Sequence, residues 1–196
     1  MHYALQLISF AALWIMIIYA VNCVLARRFK KPTLKRTISY VFATATIGVF
    51  GEIFLDSTYR HFVGNPLWEY RILPVHNGYT SSFAPVIWGI YGFHLSLLHD
   101  TLRRHHIYTV WKLALIMSVE ALLAEALLTL SAKLFFGEFL YYYFPGDLWH
   151  ISSLQNIPFY FICALVIVAT VRRFKIDPAF FACMCAALVT VLIFIV

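Results

Sequence analysis

Residues 38–57 read ISYVFATATIGVFGEIFLDS, twenty positions without a Lys, Arg or Pro, interrupted only by the acids Glu52 and Asp56. About 20 apolar residues in an α-helix span the bilayer hydrocarbon core. A charge near the bilayer centre costs about 3 kcal/mol on insertion scales, so such acids face a bundle interior or a water-filled cavity. The stretch therefore predicts a transmembrane helix packed among others.

Outward from it, comparable apolar runs cover residues 3–26, 79–98, 107–131, 151–171 and 178–196. The expected fold is all-α, a polytopic bundle of about six transmembrane helices forming one domain over residues 1–196. Composition agrees: 62% of the 196 residues are hydrophobic and 12% charged, against about 25% charged in soluble domains. The N-terminal run lacks a basic leader and is followed by Arg27–Arg28 instead of a small-residue cleavage site. It reads as a retained helix and not a signal peptide.

The net charge of +6 does not indicate nucleic acid, because the basic residues sit in short clusters between apolar runs. RRFKKPTLKR (27–36), Arg103–Arg104 and RRFK (172–175) fall in alternate loops of a six-span chain. The positive-inside rule makes those loops cytoplasmic and puts both termini outside. The opposite loops carry Arg60, Glu69 and Arg71, then Glu138 and Asp147. Cys23, Cys163, Cys183 and Cys185 all lie in apolar runs and read as small buried residues.

Spans two–three and four–five resemble two copies of one hairpin. Each has a Glu late in its first helix (Glu52, Glu125), an outer loop with a Leu–Trp pair (NPLWEYRILP; PGDLWHISSLQNIP) and a second helix. Both first helices run the same way, so the copies would form a parallel repeat about an axis along the membrane normal. Two readings of the acids follow. In one they make buried ion pairs with Arg60, Arg71 or Lys133. In the other Glu52 and Glu125, with Asp56 one turn beyond Glu52, line one outward-facing polar pocket roofed by Trp68, Glu69, Arg71, His76, Trp149 and His150.

His94, His99, His105 and His106 echo membrane di-iron enzymes, but the further histidine clusters such sites need are missing, and no metal site is assigned. GxxxxGK[ST], GxSxG and HExxH are also missing, so no ATPase of the phosphate-loop type is expected. Ser81–Ser82 and Ser152–Ser153 read as helix-start residues. Gly48, Gly51, Gly89 and Gly92 should admit close helix neighbours, Pro85 and Pro158 should kink their spans, and Tyr141–Tyr143 should anchor at the interface.

Glu52, then Gly78–Tyr79–Thr80–Ser81, Pro85, Gly89, Tyr91 and Gly92, followed by Glu125, Trp149, Ser152 and Asn156, resemble the ABC-transporter type IV family of small multipass membrane proteins. His150 and Ile151 stand where that family has an Asp-Tyr-like pair. The resemblance implies transport, with any ATPase on a separate chain.

The expected function is a non-ATPase membrane protein that binds a lipid or small amphiphile, or that serves as a membrane subunit beside a protein partner. The alternatives are an intramembrane enzyme acting on a lipid-soluble substrate through carboxylate and His acid–base or metal chemistry, and a structural partner docking through its last helix. No cofactor is specified.

Overall fold

A computed structural model describes residues 2–106, 109–173 and 177–194. Among these, six helices follow the apolar runs: α1 (His2–Leu25), α2 (Leu34–Val63), α3 (Ala84–Arg104), α4 (Val110–Phe136), α5 (Ile157–Arg173) and α6 (Pro178–Phe194). Tyr3–Leu25, Leu34–Val63, Val110–Phe136 and Leu154–Arg173 are each long and apolar enough to cross a membrane. Large apolar side chains such as Ile8, Leu123 and Leu134 are exposed along them, as a lipid-facing surface requires. The chain is an integral membrane protein with an all-α bundle. α3 is more polar because it carries His94, His99, Asp100, Arg103 and Arg104, and α6 has 17 residues.

The elements depart from the expected spans where loop chemistry intervenes. The span expected at 79–98 begins only at Ala84, because Thr80–Ser81 (β3) pairs with Pro74–Val75 (β2). The span expected at 151–171 begins at Ile157, after a single 3-10 turn over Leu154–Asn156. Residues 107–108 and 195–196 of the expected spans lie outside the described residues. Pro85 and Pro158 do not kink their helices. Each lies in the first turn, where no intrahelical N–H bond is lost.

Trp68–Tyr70 (β1) pairs antiparallel with Tyr141–Tyr143 (β4), in the register Trp68↔Tyr143, Glu69↔Tyr142 and Tyr70↔Tyr141. Tyr141–Tyr143 is thus a strand with two buried rings, not an interfacial anchor. A shift of 73 positions exchanges β1 with β4 and turns this register into itself. The flanking bonds obey the same exchange: Phe144 N–H donates to the Leu67 carbonyl, and Arg71 N–H to that of Leu140.

The same shift carries α2 onto α4. Both end on a left-handed glycine, Gly64 (φ 84°) and Gly137 (φ 78°), whose N–H returns to the carbonyl of Arg60 or Lys133. The two hairpins therefore correspond position by position about the β1–β4 pair, whose register is two-fold symmetric. The Leu–Trp pairs that suggested the repeat are not equivalent. Leu67–Trp68 matches Leu140–Tyr141, and Trp149 is an 81% exposed loop residue.

The symmetry fails at one interface. α2 packs on α3 and α4 on α5, and α2 also packs on α5, but its counterpart, α3 on α4, is far looser: few backbone positions approach, and the helices meet through side chains such as Tyr91 on Glu120. α1 occupies that opening. Trp14 Nε1 donates to Ser131 Oγ of α4 at 2.9 Å, and Asn22 Nδ2 reaches His94 Nδ1 of α3 at 2.8 Å. α6 packs against α2 on the other side.

Candidate functional site

Glu52 sits late in α2 and is buried, and it accepts three hydrogen bonds from the segment that follows. Tyr70 OH and Trp88 Nε1 donate to Oε1 at 2.5 and 2.8 Å, and Thr80 Oγ1 to Oε2 at 2.6 Å. Glu125 repeats the pattern from α4. Tyr143 OH donates to its Oε1 at 2.5 Å, Tyr160 OH to the same atom, and Ser152 Oγ to Oε2. The donors lie 18, 28 and 36 residues from Glu52 and 18, 27 and 35 residues from Glu125. Each carboxylate thus ties one helix to its returning strand, its turn and the next helix. The ion pairs with Arg60, Arg71 or Lys133 are not formed. Arg60 lies over the Tyr79 ring, Lys133 over Phe139, and Arg71 meets Glu69 at 3.0 Å.

Both carboxylates face one cavity of about 80 Å³ between α1, α3 and α4, room for about six waters. It is partly open, and Phe10, Trp14, Trp88, Tyr91 and Leu128 form much of its wall. A second chamber of about 10 Å³, the size of one water, is also lined by Glu52 and Glu125, with Asn156 beside them. The larger cavity occupies the place where symmetry would close α3 on α4. On the closed side Gly51 sits against Phe159 and Cys163. Their counterparts Ala124, Ile87 and Tyr91 all line the cavity.

The other expected pocket residues divide. Trp68 lines the smaller chamber, and its Nε1 donates to the Tyr79 carbonyl at 3.1 Å. Asp56 is not part of either cavity. It is fully buried, and its Oδ1 accepts from the Leu67 and Trp68 N–H groups at 2.6 and 3.3 Å, fixing the entrance to β1. Glu69 and Tyr142 are the middle residues of their strands, so alternation turns them away from Trp68, Tyr70, Tyr141 and Tyr143. Arg71 pairs with Glu69, and His150 stacks on Tyr142 with ring centroids 4.5 Å apart. Those residues and the exposed Trp149 do not roof the cavity, and His76 does not line it. Trp149 and His150 hold left-handed backbone (φ 50° and 63°) at the positions matching Asn77 and Gly78 of the first hairpin.

A polar chain that sequence reasoning did not assemble adjoins the cavity. Tyr91 OH donates to Glu120 Oε2 at 2.8 Å, and His94 Nε2 stands 3.0 Å from Glu120 Oε1, off the line of a good hydrogen bond. Asn22 Nδ2 also donates to the Ile18 carbonyl, which makes His94 Nδ1 the acceptor and leaves the proton on Nε2, toward Glu120. The i, i+3 spacing of Tyr91 and His94 was the available signal. His99, the other buried histidine of α3, pairs with Tyr40 OH. Among the described residues no three His, Cys, Asp or Glu side chains converge as metal ligands.

The strand phenols report the carboxylates. Burial, then Glu52, pushes the Tyr70 phenol well above its ordinary 10.0. Burial, then Glu125, does the same to Tyr141 and Tyr143, and Glu52 adds to the effect at Tyr141. A raised native value contributes stability that is complete below the unfolded value and is lost as pH climbs past it. Melting temperature in detergent should stay level from neutral pH to about 9 and fall above about 10, as the unfolded chain sheds protons that the native chain keeps. Tyr143→Phe should flatten that fall. A melting temperature that drops steadily from pH 7 would contradict it.

Compared with known proteins, the chain matches no family model, no curated protein and no solved structure.

Proposed function

We propose that the chain binds a small amphiphile from the bilayer, with its polar end at Glu52 and Glu125 and its apolar part against α1, α3 and α4. With the basic loops cytoplasmic, the site lies in the outer half of the membrane. The observation that carries this reading is the cavity itself. Both halves of a two-fold fold contribute a carboxylate to it, and the one interface left unsealed gives it apolar walls. Binding sites are commonly concave, mostly apolar and furnished with a few convergent polar groups. Binding is better supported than acid–base catalysis, because each carboxylate already accepts three hydrogen bonds that hold the hairpins together.

Native mass spectrometry of the chain released from mild detergent should show a lipid-sized adduct. Ala124→Phe, which fills the cavity from α4, should remove the adduct while leaving the chain folded by thermal melting. An adduct equally abundant in Ala124→Phe, or none in the wild type even after lipid is added back, would overturn the proposal.

A further inference from the structure

Resting on the amphiphile reading, we infer that the cavity selects a cation: a protonated amine or quaternary ammonium head carrying an apolar tail. Three independent observations converge on that charge.

The first is a donor and acceptor census. Of the N–H and O–H groups on the cavity wall, those of Trp14, Tyr70, Trp88, Tyr91 and Tyr160 are committed to Ser131, Glu52, Glu120 or Glu125, and the Tyr141 hydroxyl is the other donor there. An anionic head would meet two carboxylates with those donors already committed. Like charges brought together at an interface cost several kcal/mol.

The second is a missing counter-charge. Neither cavity is lined by a Lys, Arg or His. The cations that the sequence offered as partners, Arg60, Arg71 and Lys133, are engaged with Tyr79, Glu69 and Phe139. A bound cation would supply the counter-charge that favours the ionised form of these buried carboxyls.

The third is an unused acceptor. Asn156 is 1% exposed and lines the chamber shared by the two glutamates, and its Oδ1 has no partner among the described residues. Its Nδ2 donates to Tyr143 OH at 2.6 Å, which fixes the amide with its oxygen free. A buried carbonyl oxygen beside two carboxylates is complementary to the N–H of a protonated amine, whereas a quaternary ammonium would be held by the carboxylates and rings alone. Trp88, Tyr70 and Tyr160 line this chamber too, and with Tyr91 they line the larger cavity, aromatic rings of the kind that attract ammonium groups. A hard metal ion fits less well. It takes six or more oxygens, and here the carboxylate oxygens are directed at hydroxyl and indole donors.

The test uses the full chain in nonionic detergent, read by fluorescence of Trp14 and Trp88, which line the cavity. Four probes with the same twelve-carbon tail are titrated: dodecylamine, dodecyltrimethylammonium, dodecanol and dodecyl phosphate. The two cations should bind saturably and at least about tenfold more tightly than dodecanol, with dodecyl phosphate weakest. Glu125→Gln and Glu52→Gln should each weaken the cations about tenfold and leave dodecanol within about twofold. Repeating the dodecylamine titration in nanodiscs with and without an aminolipid separates the sources. Competition by the aminolipid identifies a lipid head, and its absence a free amine.

Equal binding of dodecanol and dodecylamine to the wild type would overturn the charge selection while leaving the amphiphile reading intact. No saturable binding of any probe would overturn both. The ranking in wild-type protein needs no variant, so poor folding of either Gln variant does not blunt the test.

Discussion

Glu52→Ala should lower unfolding free energy by about 3–6 kcal/mol, since it strands three buried donors at about 1–3 kcal/mol each, less some relaxation. Glu125→Ala should cost a similar amount, because it strands an equivalent set in the other hairpin: Tyr143, Tyr160 and Ser152. Equality is the informative part. Two glutamates doing unrelated work would have no reason to match. Here each one clamps a helix to a strand, a turn and the next helix by bonds at nearly identical sequence separations. Glu→Gln should be milder, about 1–2 kcal/mol, since the amide oxygen still accepts and only one donor must turn around. Thermal unfolding in detergent, followed by near-UV circular dichroism, measures all four variants. If Glu52→Ala melts within a degree or two of wild type, these carboxylates do not brace the fold.

The membrane character, the six helices and the inward turn of Glu52 and Glu125 were legible because each is a local property of the chain. Apolar runs and misplaced charges announce themselves within twenty residues. What the sequence could not disclose was register. The Leu–Trp dipeptides were the most conspicuous shared letters of the two hairpins, yet Trp68 corresponds to Tyr141, and the phenol and indole donors that answer the glutamates lie 18 to 36 positions away. Chemically dissimilar residues fill equivalent posts: Trp88 opposite Tyr160, Thr80 opposite Ser152. Only donation of a hydrogen bond is shared, which letter matching does not see.

The ion-pair alternative failed for a related reason. Formal charge invites pairing with Arg60 or Lys133, but neutral hydroxyls can solvate a buried carboxylate without bringing a second charge into hydrocarbon. The strands were illegible too. Three-residue segments such as Trp68–Tyr70 have no periodicity of their own and are held by Asp56, which accepts from the N–H groups that open the strand.

Gly92→Ala should be among the most damaging single-methyl additions in the chain, and Gly89→Ala, one turn earlier on the same helix, should be close to neutral. Both glycines read alike in sequence, as small residues admitting a neighbour, but the fold separates them. A Cβ on Gly92 would lie 2.5 Å from the Tyr40 carbonyl oxygen and 2.7 Å from the Val41 Cα, both backbone atoms of α2. No rotamer change relieves that, so α3 would have to move off α2 along the most extensive helix contact in the molecule. A Cβ on Gly89 would meet only Val41 Cγ1, at 3.5 Å, an ordinary contact. Overpacking of this kind costs about 1–3 kcal/mol where side chains can yield, and more where backbone must. Gly92→Ala is therefore expected to cost about 3 kcal/mol or more, while Gly89→Ala stays within about 0.5 kcal/mol and gains slightly from helix propensity. The displacement would also reach the cavity, because Trp88 and Tyr91 ride on the same helix. Amphiphile binding should weaken in Gly92→Ala and persist in Gly89→Ala. Melting curves and dodecylamine titrations of the two variants decide the matter together. Equal stability in both would mean that α2 and α3 do not cross at Gly92, and the cavity geometry built on that crossing would have to be redrawn.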